Sequence, residues 1–162
     1  MNPLWLEIAQ SSRGLQETTG EPTILGWAKA VGGWVATYFT SATKMSWCAL
    51  FMEHCVTKAG CKGLGQNCLT ALNWARWGVP ALEAVPGAVL VLDLGKGDHH
   101  VTLYESETAT HYNCIGGNQS NQVKTSSFPK AAVIAMRWPS DFPFVGVPVK
   151  VAEGNTAVET TR

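Results

Sequence analysis

Thiol chemistry needs a cysteine that can hold negative charge, an imidazole to exchange its proton, and a polar group to orient that imidazole. The 162-residue sequence offers a candidate for each, in that order along the chain. Cys48 lies in "KMSWCALFMEHC", where a segment of helical periodicity begins. Unpaired N–H groups and the helix dipole at such an end favour a thiolate, against a free-cysteine pKa of about 8.5. His100 lies in "GDHHVTLY", where a turn enters a strand, and Asn118 follows in "CIGGNQSN". A hairpin between the two strands would bring Asn118 beside the imidazole, with Gly116 and Gly117 letting the backbone turn sharply. The competing reading makes Cys48 a buried packing thiol, since cysteine is among the residue types most often buried.

These side chains must be held by elements, and the pattern supplies them. Residues 2–14, with Asn2 as cap and Pro3 in the first turn, read as one helix, and residues 22–35 as a second that Gly32 and Gly33 weaken. Residues 36–44 read as connecting chain. A third helix runs from a Ser46 cap to about Ala59, where Gly60 stops it. At 100° per residue Cys48, Phe51, Met52, Cys55, Val56 and Ala59 share its core stripe, while Glu53, His54, Thr57 and Lys58 fall opposite. A short helix follows around residues 68–78. Beyond Pro86, "GAVLVLDL", "HVTLYE", "HYNCIGG" and "AAVIAMRW" read as strands, with residues 118–130 connecting the last two. Helices followed by strands at hairpin spacing indicate an α+β domain with an antiparallel sheet. Residues 1–146 form one domain, and the polar tail 147–162 is expected to be flexible.

Composition narrows the partners. The chain is 46% hydrophobic and 15% charged, ordinary for a globular domain, and its twelve basic and twelve acidic residues cancel. No electrostatic footprint for nucleic acid or an anionic membrane is present. No secretory signal is evident and no segment is long and apolar enough to span a bilayer, so synthesis in a reducing cytoplasm with free thiols is expected. The five cysteines are Cys48, Cys55, Cys61, Cys68 and Cys114. Their spacing lacks the Cys-x-x-Cys pair of structural zinc sites, so no metal is expected, and a Cys61–Cys68 disulfide stays open. Of the seven tryptophans, Trp5, Trp27 and Trp34 have the spacing of helix packing, while Trp47 and Trp77 are candidates for a cleft wall.

The order "SWCALF", "HHVTLY", "GGNQSNQV" and "MRWP" resembles the NlpC/P60- and CHAP-like cysteine peptidoglycan hydrolases. The likeness is nearest to a small phage and prophage group with Trp-Cys, His-Val and Gly-Gly-Asn-Gln motifs, and it extends from about residue 3 to Pro139. It implies a papain-like fold, the nucleophile helix packed on the sheet, with Cys48 as nucleophile, His100 as base and Asn118 in the orienting position. Gln119 either contacts substrate or is a satisfied loop amide, and Trp47 and Trp77 remain candidate substrate residues. The His-Val motif selects His100 over His99, which falls in the turn and is expected to be solvated. Relatives often carry an acidic residue shortly before Trp-Cys, whereas this chain has Thr43, Lys44 and Met45. The implied activity is cleavage of a stem-peptide amide without a cofactor, with an N-acetylmuramoyl-L-alanine amidase or a non-catalytic wall-binding module as alternatives. A monomer acting on the cell wall after release through a separate holin-like pore, as in phage lysis, fits the absent signal, and a virion-associated hydrolase or a secreted antibacterial effector fits it equally.

Overall fold

The structure, a computed structural model, describes residues 2–153. Its helical half comprises α1 (Leu4–Ser11), α2 (Glu21–Val31), α3 (Gly33–Tyr38) and α4 (Cys48–Lys58). A 3-10 helix over Ala71–Arg76 leads into the strands β1 (Val79–Pro80), β2 (Val89–Asp93), β3 (His99–Glu107), β4 (His111–Gln119), β5 (Gln122–Pro129) and β6 (Val133–Trp138). These form one six-stranded sheet in the order β1-β6-β2-β3-β4-β5, antiparallel at every pairing. The α+β class expected from the sequence is therefore present. The segment 118–130 is not connecting chain: most of it is β5, joined to β4 by a two-residue turn at Ser120 and Asn121. Both turn residues have positive φ (53° and 65°), the type I′ geometry that matches the twist of a hairpin.

The helices also depart from simple periodicity. Gly32, at φ 77°, breaks the expected second helix, and the chain restarts as α3, taking in residues read as connection. Pro3 rather than Asn2 occupies the N-cap of α1. At the end of α4, Gly60 at φ 89° donates to Thr57 O (3.0 Å) and Cys61 donates to Val56 O (2.9 Å). This is a Schellman ending, and glycine accommodates its left-handed turn.

The core is built on large aromatics whose polar atoms are satisfied. Trp5, Trp47, Trp74 and Trp138 are fully buried. Their indole N–H groups donate to Gly87 O, Glu17 Oε1, Cys68 O and Pro143 O respectively, at 2.8–3.2 Å. The Trp5 bond ties α1 to the entry of β2, 82 residues further along the sequence. Glu53, expected on the polar face of α4, is buried instead. Its carboxylate accepts the N–H groups of Leu64 (2.8 Å) and Gly65 (3.0 Å) and so pins the loop after α4. Trp34 departs the other way: it is 53% exposed rather than packed between helices.

Part of the segment expected to be a flexible tail is docked. Glu107 donates to Val149 O (2.7 Å), Val151 donates to Glu107 O (2.8 Å), and Val149 donates to the Tyr104 hydroxyl (3.0 Å). The rest of that segment, residues 154–162, lies outside the described residues.

Candidate active site

The sequence around Cys48 makes a helix whose first residue is the cysteine itself. α4 begins at Cys48 with Trp47 as N-cap, not at Ser46, and no side chain caps it. Its first hydrogen bond runs from Phe51 N–H to Trp47 O at 2.9 Å. The N–H groups of Cys48, Ala49 and Leu50 therefore find no acceptor within the helix, which leaves its positive end at the thiol. Freed from capping, the Ser46 hydroxyl lies 3.8 Å from Cys48 Sγ.

Cys48 is 2% exposed and His100 is fully buried. Burial pushes the thiol pKa up, yet the net displacement is downward. The charge of the His100 imidazole leads the influences that outweigh burial, and the Val101 N–H and the Ser46 hydroxyl add to it. For His100, burial pushes the pKa down, and the Cys48 charge, the Gln119 side chain and the Asp98 charge carry it above its ordinary value. Both displacements favour a thiolate facing an imidazolium. The other four thiols move the opposite way. Burial holds Cys55 and Cys114 well above the ordinary thiol value, and it places Cys61, with Asp141, at about 11 and Cys68, with Glu53, at about 12. All five cysteines are free thiols, Cys61 and Cys68 included. Of the five, Cys48 alone is acidified.

Hydrogen bonding decides which imidazole nitrogen carries the proton. His100 Nε2 lies 2.9 Å from Gln119 Oε1. The Gln119 amide nitrogen donates to Cys114 O (3.1 Å) and Lys124 O (2.7 Å). Two carbonyls accept only from the NH₂ end, so the amide cannot be turned round, and its oxygen must face the ring. Nε2 therefore holds a hydrogen, and Nδ1, which has no hydrogen-bond partner within ordinary distance, is the nitrogen left for the thiol. The Thr102 hydroxyl lies 2.7 Å from the same Gln119 oxygen and 2.9 Å from Ile115 O. Its single proton serves either acceptor. Phe128 packs 5.6 Å from the imidazole, ring centre to ring centre, and closes the apolar side.

Gln119, not Asn118, thus makes the bond assigned to the orienting residue. A β-bulge is the reason. Gly116 pairs with Lys124 and Gln119 pairs with Gln122, so β4 carries one more residue than β5 across this interval. Asn118 takes the left-handed conformation there, at φ 59°. Without the extra residue, strict alternation would set Asn118 on the face shared by His100, Thr102 and Gly116; the bulge puts Gln119 there instead. Asn118 is buried next to it in the chain.

Gly116 and Gly117 have ordinary φ and serve by their lack of a side chain. A Cβ on Gly116 would collide with Gln119 Oε1 and reach within 2.6 Å of Thr102 Oγ1. One on Gly117 would lie 2.7 Å from Phe51 Cβ and 2.9 Å from the Trp47 ring. The pair lets β4 approach α4 and leaves room for the Gln119 amide.

Three substrate assignments fail on burial. Trp47 is 0% exposed. Trp77 is 5% exposed, donates to Lys62 O and packs on Trp74. Gln119 is fully buried under the imidazole. None offers a surface to a ligand. His99 is half-buried at the start of β3, opposite Asp93, rather than solvated in the turn. Among the described residues no group of three or more His, Cys, Asp or Glu is arranged to hold a metal ion, and no helix is long and apolar enough to cross a membrane.

Sequence reasoning missed Thr102 and the role of Ser46. Thr102 was readable, since alternation in "HHVTLY" sets it on the His100 face. No local signal marked Ser46 as a thiol contact rather than a cap. No family model matches the chain, and no curated protein or solved structure matches it either.

Proposed function

We propose that the chain is a cysteine hydrolase of the NlpC/P60- and CHAP-like kind, with a papain-like arrangement of helix and sheet. Its substrate is an amide of peptidoglycan, in the stem peptide or at its link to the glycan. The observation that carries this reading is a cysteine at the first residue of a helix, in a site with an imidazole whose Nε2 is engaged by Gln119 and whose Nδ1 is left open.

The steps follow from the atoms present. The Cys48 thiolate attacks the amide carbonyl carbon, and the backbone N–H of Cys48, unpaired within α4, is positioned to donate to the developing oxyanion. His100 Nδ1–H passes its proton to the departing amine nitrogen, leaving a thioester on Cys48. Water then attacks the thioester carbonyl while Nδ1 accepts its proton. The carboxylic product leaves, and the thiolate–imidazolium pair is restored. Gln119 keeps Nε2–H engaged throughout, so the ring cannot rotate away from the sulfur. Synthesis in the cytoplasm, release through a separate pore and action on the wall as a phage lysis enzyme complete the proposal.

The burial of Cys48 favours a second reading, a wall-binding module on the same scaffold. Digestion of purified sacculi by wild type and Cys48→Ala separates the two. Soluble fragments released by the wild type alone support the hydrolase; equal release by both removes Cys48 from the chemistry, and binding without release supports the module.

A further inference from the structure

The chain reaches its nucleophile through an irregular stretch. Residues 39–47 form no helix or strand, so nothing periodic in that segment fixes where Trp47 and Cys48 stand. Two glutamates from the N-terminal part of the chain anchor it. Glu21 Oε2 accepts the Ala42 N–H at 2.9 Å, and Glu17 Oε1 accepts the indole N–H of Trp47 at 3.2 Å. Glu17 and Trp47 are both buried, so losing this acceptor would leave the indole nitrogen unpaired away from water.

Glu17 also grips the other half of the site. Residues 14–17 run along the start of β5: Gly14 donates to Val123 O (2.8 Å), Val123 donates to Leu15 O (2.8 Å), and Glu17 donates to Asn121 O (3.0 Å). Asn121 belongs to the turn that follows Gln119, whose side chain engages the imidazole of His100. The main chain of Glu17 is thus fixed to the hairpin that orients the imidazole, and its side chain to the residue directly before the thiol. Gly20 lets the segment turn back towards α2, since a Cβ there would collide with Gln16 O.

Trp47 passes the placement on. It is the N-cap of α4, and its carbonyl accepts the Phe51 N–H at 2.9 Å, so its position sets the first turn in which Cys48 lies. Its ring packs 6.3 Å from Trp27, centre to centre, and so close to β4 that a Cβ on Gly117 would come within 2.9 Å of it. A circuit runs from Cys48 through Trp47, Glu17, Asn121, Gln119 and His100 back to the sulfur. Short stretches of chain or hydrogen bonds make every link but the last, where imidazole meets thiol.

We infer that Glu17 is a positioning residue of this site: bonded to Trp47 and paired with the β4–β5 turn, it sets the spacing between Cys48 and His100. The inference rests on the hydrolase reading for its purpose, but the placement of the thiol can be read without a substrate.

The test follows the pH dependence of Cys48 alkylation by iodoacetamide in the full chain, with modified peptides mapped by mass spectrometry. Glu17→Met keeps the bulk of the side chain and removes the acceptor, whereas Glu17→Gln removes the charge and keeps an acceptor oxygen. In Glu17→Met the midpoint of alkylation should rise towards that of an ordinary thiol, and the rate near neutral pH should fall about tenfold. Glu17→Gln should keep the wild-type midpoint. Thermal melting monitors folding. If Glu17→Met does not fold, Glu17→Met/Trp47→Phe, which orphans no indole N–H, replaces it with the same expected rise. A wild-type midpoint in the acceptor-free variant overturns the inference even where the melting temperature drops, because packing alone would explain that drop. Equal rises in Glu17→Met and Glu17→Gln overturn it too, since loss of the charge would then suffice. Sacculus digestion by the wild type reads the hydrolase proposal separately: intact sacculi remove that proposal and leave alkylation to decide the placement. Where sacculi are cut, fragment release by Glu17→Met should slow along with alkylation, and release at the wild-type rate counts against positioning.

Discussion

Oε1 of Gln119 lies 2.9 Å from Nε2 of His100, at the end of a chain of hydrogen bonds that begins on the carbonyls of Cys114 and Lys124. Two main-chain carbonyls orient the amide, the amide orients the imidazole, and Nδ1 is left for the sulfur of Cys48. Backbone geometry is thereby translated into the protonation state of a ring.

Gln119→Ala removes the acceptor and one of the influences that raise the His100 pKa. The acid limb of activity belongs to the lowered Cys48 thiol, since the thiolate forms as pH rises through its pKa. The alkaline limb belongs to the raised His100, which loses its transferable proton as pH rises further. The variant should pull the alkaline limb to lower pH and reduce activity by about 10²-fold. Gln119→Glu keeps an acceptor oxygen but cannot donate to the Cys114 and Lys124 carbonyls, and should not restore the loss. A pH profile of Gln119→Ala that overlays the wild type would exclude this positioning role.

Thiol reactivity should be confined to one cysteine. Near neutral pH, iodoacetamide is expected to alkylate Cys48 well before Cys61 or Cys68, held at about 11 and about 12, or the buried Cys55 and Cys114. Peptide mapping by mass spectrometry checks this, and His100→Ala should slow labelling of Cys48 alone. Comparable labelling of all five thiols in the folded protein would contradict the selective acidification of Cys48.

Gly116→Ala should separate activity from stability. The added methyl group meets the Gln119 and Thr102 oxygens, so the amide must leave the imidazole while the sheet pairing persists. A stability cost of about 1–3 kcal/mol is expected. Activity should fall as far as it does in Gln119→Ala. Urea melts and hydrolysis rates measured together decide it, and full activity in the variant would count against the crowding.

His54 should make the fold acid-sensitive. Burial first, and the Lys58 ammonium second, bring its pKa from 6.5 down to about 4, and its ring stacks on Trp27 at 4.6 Å. Below pH 6.5 the unfolded chain takes up a proton that the folded chain does not. The contribution is complete above that value and is lost as pH falls towards 4. Allowing for partial solvent exposure, stability should drop by about 1 kcal/mol between roughly pH 7 and pH 5. His54→Phe should flatten that slope. An equal slope in both proteins, measured by urea unfolding, would show that other groups are responsible.

The sequence by itself determined the class, most of the elements and two members of the site. Apolar runs with turn signals are local, so the strands bearing His100 and Cys114 and the helix bearing Cys48 were legible one window at a time. Residues 122–129 were not, because "QVKTSSFP" is polar and becomes a strand through pairing with β4. The choice between Asn118 and Gln119 was equally out of reach. It turns on one inserted residue in β4 relative to β5, and a bulge exists only once two strands are paired. Burial also took Trp47 and Trp77 into the core, and left Trp34 exposed. Residue type offers an indole to core or groove alike; only the tertiary packing decides which of its faces meets water.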